Sequence, residues 1–418
     1  MKSAISAALL SAITVSAAPG LVLDVTAPPS AVDVDGLTVK AVLKNTGTES
    51  LKLLNDPRTV LSKAPTDTFS ITSDANTQTP KFTGIKLKYV PATAAAKARD
   101  ADFTVLAPGQ SIEIDHALAG FAANNVFNYV DASGELKTIE ASSNSNRFKL
   151  AGKLVAPSTN PKTRARSISK RVVSYAGCSS SQQSLVSAAA TASNTYVANV
   201  NTYLNGISSG TTRYTTWFGA YTAARLSTVR SHYTSIGTDA TSTTYDCTTC
   251  QNTSGIDYDS TYAYVYSDEP GTIYLCGVFW DAPVTGTDSR AGTIVHENSH
   301  FEVNGGTSDW VYGQSSAKSL ATSNPTRAID NADNHEYLRK EFEQLGPARI
   351  DAQPSRRLSE QTAVYMSDEF CQSPAVNANN RTRLSSTNGK LKSAKQFANE
   401  FKLVFILLPR TGIAVPPQ

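Results

Sequence analysis

Two hydrophobic periods divide the chain. From about residue 20 to 150 apolar and polar positions alternate. Leu37, Val39, Ala41 and Leu43 stand against Thr38, Lys40 and Lys44 before Asn45-Thr46-Gly47, and Ile112 and Ile114 alternate with Glu113 and Asp115 directly after Ala107-Pro108-Gly109. Short alternating runs between Pro/Gly turns predict strands with one buried face, arranged as an antiparallel β-sandwich-like domain. Beyond residue 171 the period becomes helical. Leu185, Ala189, Ala192, Tyr196, Val200 and Leu204 recur every three or four residues and predict one apolar stripe on a helix. A second helix is predicted through Leu226, Val229 and Tyr233, and further ones over 290–304 and 326–342. Tyr262 to Tyr266 and Thr272 to Cys276 flank Glu269-Pro270-Gly271 and predict a hairpin. The second region therefore reads as a mainly helical α+β domain.

At 418 residues, two domains plus connecting segments are expected. Lys2, the apolar stretch Ala4 to Val15 and the small residues Ser16, Ala17 and Ala18 have the order of a secretory signal peptide, assigned to 1–18. Between the two periods lies a basic, turn-prone segment ending in Ser169-Lys170-Arg171. A dibasic pair between two composition zones of a secreted chain reads as a site for a processing protease, which makes 19–171 a propeptide and 172–345 the working domain. Residues 346–418, with Cys371 and the apolar run Leu403 to Leu408, form an extension that carries no evident chemistry. A net charge of +3 is too small to argue for nucleic acid or a membrane surface as partner, and no apolar run is long enough to span a bilayer. A monomer is expected. In an oxidising compartment Cys178, Cys247, Cys250 and Cys276 are disulfide candidates before they are metal ligands, because Cys247-Thr-Thr-Cys250 has no second such pair. His116, His232 and His335 are read as ordinary, non-ligating residues.

The chemistry concentrates in Thr293-Ile294-Val295-His296-Glu297-Asn298-Ser299-His300-Phe301. Residues four apart share one helix face, so His296 and His300 can reach one ion, with Glu297 beside them as general base. Thr287 or Asp288 is the expected helix cap, and Gly305-Gly306 the expected stop. A catalytic zinc takes three protein ligands and keeps a position for water. Gly305-Gly306-Thr307-Ser308-Asp309-Trp310-Val311-Tyr312-Gly313 turns the chain back and offers Asp309 as third ligand, with Tyr312 able to aim its hydroxyl at a developing oxyanion. One zinc per chain is expected.

These motifs resemble those of the aspzincin metallopeptidases, which comprise deuterolysin and the fungal peptidyl-Lys metalloendopeptidases: His-Glu-x-x-His followed by Gly-Thr-x-Asp-x-x-Tyr-Gly. Gly306 to Gly313 matches each fixed position, and Tyr214-Thr215-Thr216-Trp217-Phe218-Gly219, Gly286-Thr287-Asp288-Ser289 and Asn331-Ala332-Asp333-Asn334-His335-Glu336-Tyr337 look closest to the peptidyl-Lys branch. The resemblance implies a zincin-like fold, His296, His300 and Asp309 as zinc ligands, Glu297 as base and Tyr312 as transition-state donor. It implies disulfides Cys178–Cys247 and Cys250–Cys276. It also implies that Asp333, with Glu336 nearby, selects a lysine ammonium just after the cleaved bond in protein and peptide substrates. A broader deuterolysin-like endopeptidase is the alternative. A non-catalytic secreted zinc-binding protein would want a fourth protein ligand, and none is evident.

Overall fold

The structure, a computed structural model, describes residues 18–31, 38–69, 82, 84–117, 125–144, 149–150, 173–339 and 401–402. The leader up to Ala17, the pair Lys170-Arg171, Cys371 and the apolar run 403–408 lie outside the described residues.

The N-terminal region contains β1 (Leu21–Thr26), β2 (Thr38–Asn45), β3 (Leu51–Leu54), β4 (Ile85–Tyr89), helix α1 (Pro91–Lys97), β5 (Phe103–Leu106), β6 (Ser111–Ala117), β7 (Val126–Val130) and β8 (Leu136–Glu140). One sheet has β1, β2 and β6 in that order, antiparallel to one another, with Ser142–Ser143 pairing parallel to β1 at its edge; the other has the order β5-β3-β7-β8. The alternation explains how they meet. Val39, Ala41 and Leu43 of β2 turn inward while Lys40 and Lys44 face solvent. They join Leu21, Leu23 and Val25 of β1 and Leu51, Leu53, Leu106, Phe127 and Ile139 of the second sheet in one apolar cluster.

The second region contains β9 (Ser174–Ala176), α2 (Ser180–Gly206), α3 (Thr212–Phe218), α4 (Ala223–Ile236), β10 (Thr244–Asp246), β11 (Thr261–Tyr266), β12 (Thr272–Leu275), α5 (Gly277–Asp281), α6 (Arg290–His300), α7 (Gln314–Ser323), α8 (Pro325–Ala328) and α9 (Ala332–Leu338). Ser179 and Gln182 form a capping box that starts α2. Its buried stripe runs through Val186, Ala189, Ser193, Val197, Val200 and Leu204; Leu185, Ala192 and Tyr196 flank it half-buried, so the helix is rolled slightly from the predicted face. The N-terminal half of α2 packs on the sheet with Tyr245, Val265, Ile273 and Ile294, and the C-terminal half on Trp217, Leu226, Val229 and Tyr233. Cys178 pairs with Cys247 and Cys250 with Cys276, at Cα separations of 5.1 and 5.4 Å.

The predicted hairpin is present as β11 and β12, with Tyr264 opposite Tyr274. The helix predicted over 326–342, whose last three residues lie outside the described ones, is broken between α8 and α9. Ser308 N–H donates to Asp330 C=O and Ser308 C=O accepts from Ala332 N–H, so backbone groups at 330–332 leave the helix to hold the loop before Asp309. The sheet of this region has five strands in the order β9-β10-β12-β11-β4. Its last strand comes from the N-terminal region. β4 runs antiparallel to β11, with Lys88 opposite Ala263 and Leu87 opposite Tyr264.

Candidate active site

Helix α6 carries three of the candidate residues. The residue that caps it is Ser289, whose hydroxyl accepts from Gly292 N–H, rather than Thr287 or Asp288. The helix stops at His300, where Phe301 C=O collects the N–H groups of Asn304, Gly305 and Gly306 and the chain reverses. Every residue of α6 is buried, which fixes the rotation that points both imidazoles into the cleft. His296 Nδ1 bonds Asp333 Oδ1 at 2.8 Å, and His300 Nδ1 bonds Thr307 C=O at 2.7 Å. Each ring is thereby oriented with Nε2 facing the same point.

The returning loop brings Asp309 to that point. Asn331 holds the loop by accepting from Val311 N–H and donating to Val311 C=O, and Trp310 Nε1 donates to Asp330. Asp309 Oδ1 lies 3.2 Å from His296 Nε2 and Oδ2 lies 3.3 Å from His300 Nε2. Ligand bonds of roughly 2.0–2.1 Å in a tetrahedral array put neighbouring ligand atoms about 3.3–3.4 Å apart. His296 Nε2, His300 Nε2, Asp309 Oδ1 and both Glu297 oxygens are buried without a hydrogen-bond partner. Orphaned donor atoms converging at this spacing fit one divalent metal ion. The electrostatics agree. Burial opposes charge on His296, yet Asp309 and Asp333 draw its pKa up to about 10, so the pocket favours positive charge there. Burial pushes Glu297 up to about 8.

The comparisons with known proteins decide the family. The profile of the aspzincin family, described as lysine-specific metallo-endopeptidase, matches residues 203–340. A peptidyl-Lys metalloendopeptidase of Grifola frondosa is 46% identical over 365 residues, covering 84% of this chain and all of the relative. The chain is an aspzincin metallopeptidase. A peptidyl-Lys metalloendopeptidase of Armillaria mellea is 46% identical over 79% of this chain and 94% of the relative. An extracellular protease of Aeromonas hydrophila is 33% identical over 73% of this chain and 88% of the relative. This aspzincin is accordingly a zinc metalloendopeptidase whose substrates are proteins or peptides.

The remaining candidates line the cleft of the aspzincin beside the metal pocket. Tyr312 is buried, and its hydroxyl donates to Leu87 C=O at 2.7 Å. Asp333 is fully engaged with the protein: Oδ1 takes His296 and Oδ2 accepts from Gly313 N–H at 2.6 Å. Glu336, one turn on, meets the Lys88 ammonium at 2.5 Å. Lys88 is 3% exposed, with Asp288 Oδ1 at 4.0 Å and the rings of Tyr262 and Tyr337 at 4.5 and 5.8 Å. Burial alone would lower the Lys88 pKa, but Glu336 and Asp333 outweigh it and hold the ammonium charged.

Three contributors escaped the sequence reading. Gly292 lies under Glu336: a Cβ there would sit 2.6 Å from Glu336 Oε1, so the glycine makes room for the carboxylate. Asp288 adopts φ 51 and accepts from Tyr337 Oη at 2.6 Å, placing its charge at the pocket mouth. Thr307 orients His300. The helical glycine inside an otherwise favourable pattern was the one signal available.

Proposed function

We propose that this aspzincin is the precursor of a secreted endopeptidase that hydrolyses Xaa–Lys bonds, cutting on the N-terminal side of lysine. The observation that carries the reading is the pocket of Glu336, Tyr262 and Tyr337, with Asp288 at its mouth, which already closes around a lysine ammonium. A carboxylate in a desolvated pocket selects that group by a charge-assisted hydrogen bond, and flanking rings add cation–π attraction. The relatives named peptidyl-Lys metalloendopeptidase point the same way.

In this reading His296, His300 and Asp309 hold one zinc per chain, which supplies Lewis acidity and lowers the pKa of a water toward ~7. Glu297, beside His296, takes a proton from the attacking water and returns it to the leaving nitrogen. Tyr312 donates to the carbonyl oxygen as charge develops on it; a donor of this kind contributes about 10²–10³ in turnover. Asp333 keeps His296 in the tautomer that leaves Nε2 free for the metal. The N-terminal region is a propeptide removed by a processing protease at Lys170-Arg171, and the mature enzyme is a monomer.

Cleavage-site mapping on a denatured protein tests the specificity. New amino termini should be lysine, with arginine poorer because its wide planar fork does not match a pocket shaped for a compact ammonium. Cuts spread over apolar residues would replace this reading by a broad deuterolysin-like endopeptidase.

A further inference from the structure

Strand β4 does more than complete a sheet. Its neighbour β11 would otherwise be the edge of the five-stranded sheet, with a row of backbone groups open to an extended peptide. β4 adds to that edge antiparallel, and all five of its residues are buried. Side chains alternate across a strand, so Lys86 and Lys88 share one face while Leu87 takes the other, where it packs with Leu54, Tyr89 and Tyr264.

The register is the informative part. Leu87 C=O accepts from Tyr312, the hydroxyl assigned above to the carbonyl under attack. Leu87 N–H donates to Asp309 Oδ2 at 3.1 Å, and Lys88, next in sequence, fills the lysine pocket. Lys86 is anchored by Gly306 and Thr307 C=O at 3.0 and 2.7 Å, in the loop that follows the two histidines. From the same N-terminal region, the Arg58 guanidinium lies 4.4 Å over the Tyr312 ring. A peptide cut before lysine needs its lysine in the pocket and the preceding carbonyl at Tyr312. β4 meets both requirements at once.

We infer that the N-terminal region holds this enzyme latent through β4, bound in the cleft in the register of a substrate with Lys88 in the lysine pocket and Leu87–Lys88 at the position of the scissile bond. The inference rests on the Xaa–Lys reading. Its device is competition: a tethered lysine at high effective concentration excludes a lysine from solution.

The test uses the full zinc-loaded chain, kept intact and checked by mass spectrometry during the assay, with a short lysine peptide as substrate. The intact wild-type chain should turn the peptide over slowly, and Lys88→Met should raise the rate about ten- to a hundredfold, chiefly through a lower apparent KM. Lys137→Ala, an exposed lysine paired with Asp131, should leave the rate unchanged. Should Lys88→Met fail to fold, Lys88→Arg keeps the pocket neutralised and should still release activity, because arginine fits it less well. In parallel, wild-type chains incubated with Zn²⁺ are examined for cuts within 85–89. A cut at Leu87–Lys88 that Glu297→Gln abolishes supports the register, and a cut at any other bond of the strand overturns it. The chain is also assayed after limited proteolysis has removed the N-terminal region. Equal, fast rates for intact wild type and Lys88→Met, with processed enzyme still cutting before lysine, would overturn the latency while leaving the specificity intact. Processed enzyme that cuts elsewhere would sink the specificity and this inference together.

Discussion

Asp333 and Glu336 lie one turn apart on α9, yet their carboxylates answer to different partners. Asp333 is spent on His296 and Gly313: burial opposes its charge, but those bonds and the nearby Lys88 ammonium outweigh it and hold its pKa below the usual carboxylate value. Glu336 keeps one oxygen for an ammonium and one unpaired. The family resemblance supplied both as pocket candidates, with the ammonium on Asp333; residue type and spacing could not tell which faces the ammonium and which backs His296. The division has a measurable consequence. Asp333→Asn loses the acceptor that fixes the His296 ring, and zinc affinity should fall about 10–100-fold. Glu336→Gln should keep its zinc while kcat/KM for lysine peptides falls about tenfold to a hundredfold, the worth of one charged hydrogen bond. Zinc titration against a competing chelator, beside peptide kinetics, separates the two. Equal zinc affinity in Asp333→Asn and wild type would return Asp333 to the pocket alone.

At the scale of elements, α6 shows what a pattern can and cannot say. Its two histidines and its glutamate are legible, because a helix face is a local consequence of sequence. Its end is less so, since the helix stops at His300, short of the predicted Asn304, and Gly305-Gly306 closes the turn that follows. Gly292 is not legible, since its reason is a carboxylate from α9 forty-odd residues away. Alanine normally improves a helix interior over glycine by about 1 kcal/mol. Here Gly292→Ala should forfeit that gain and act on the pocket: its Cβ would collide with Glu336, so KM for lysine peptides should rise more than tenfold, an effect of the size of the Glu336 contact itself. Peptide kinetics check this, and a KM unchanged from wild type would show that Glu336 has room to move. β4 was hidden for the same non-local reason. Ile85-Lys86-Leu87-Lys88-Tyr89 alternates like a surface strand, but its lysines face carboxylates and carbonyls of α9 and the metal loop rather than water. The predicted helix over 326–342 failed because its backbone was needed elsewhere, at Ser308.

At the scale of the whole molecule, the interior between α4 and α9 stores an acid sensitivity. His335 is buried against His232, ring nitrogens 3.0 Å apart, with Tyr233 donating to its carbonyl. Desolvation, and then the neighbouring His232, lower the pKa of His335 to about 3, and desolvation lowers His232 as well. Unfolded, each would titrate near ~6.5. Between these values the unfolded chain binds more protons than the folded one, so stability rises with pH across this window and is lost as pH falls below ~6.5. The cost is at most about 1.4 kcal/mol per pH unit for each such histidine, or about 2 kcal/mol for His335 between pH 6.5 and 5. His335→Gln removes that titration. Its urea midpoint at neutral pH should be lower than that of wild type, because the stacked ring is gone, but the gap should narrow steadily toward pH 5. Carboxylate terms are common to both chains and cancel in the difference. A gap that stays constant from pH 7 to pH 5 would mean that His335 already carries its proton, or shares one with His232, in the folded enzyme.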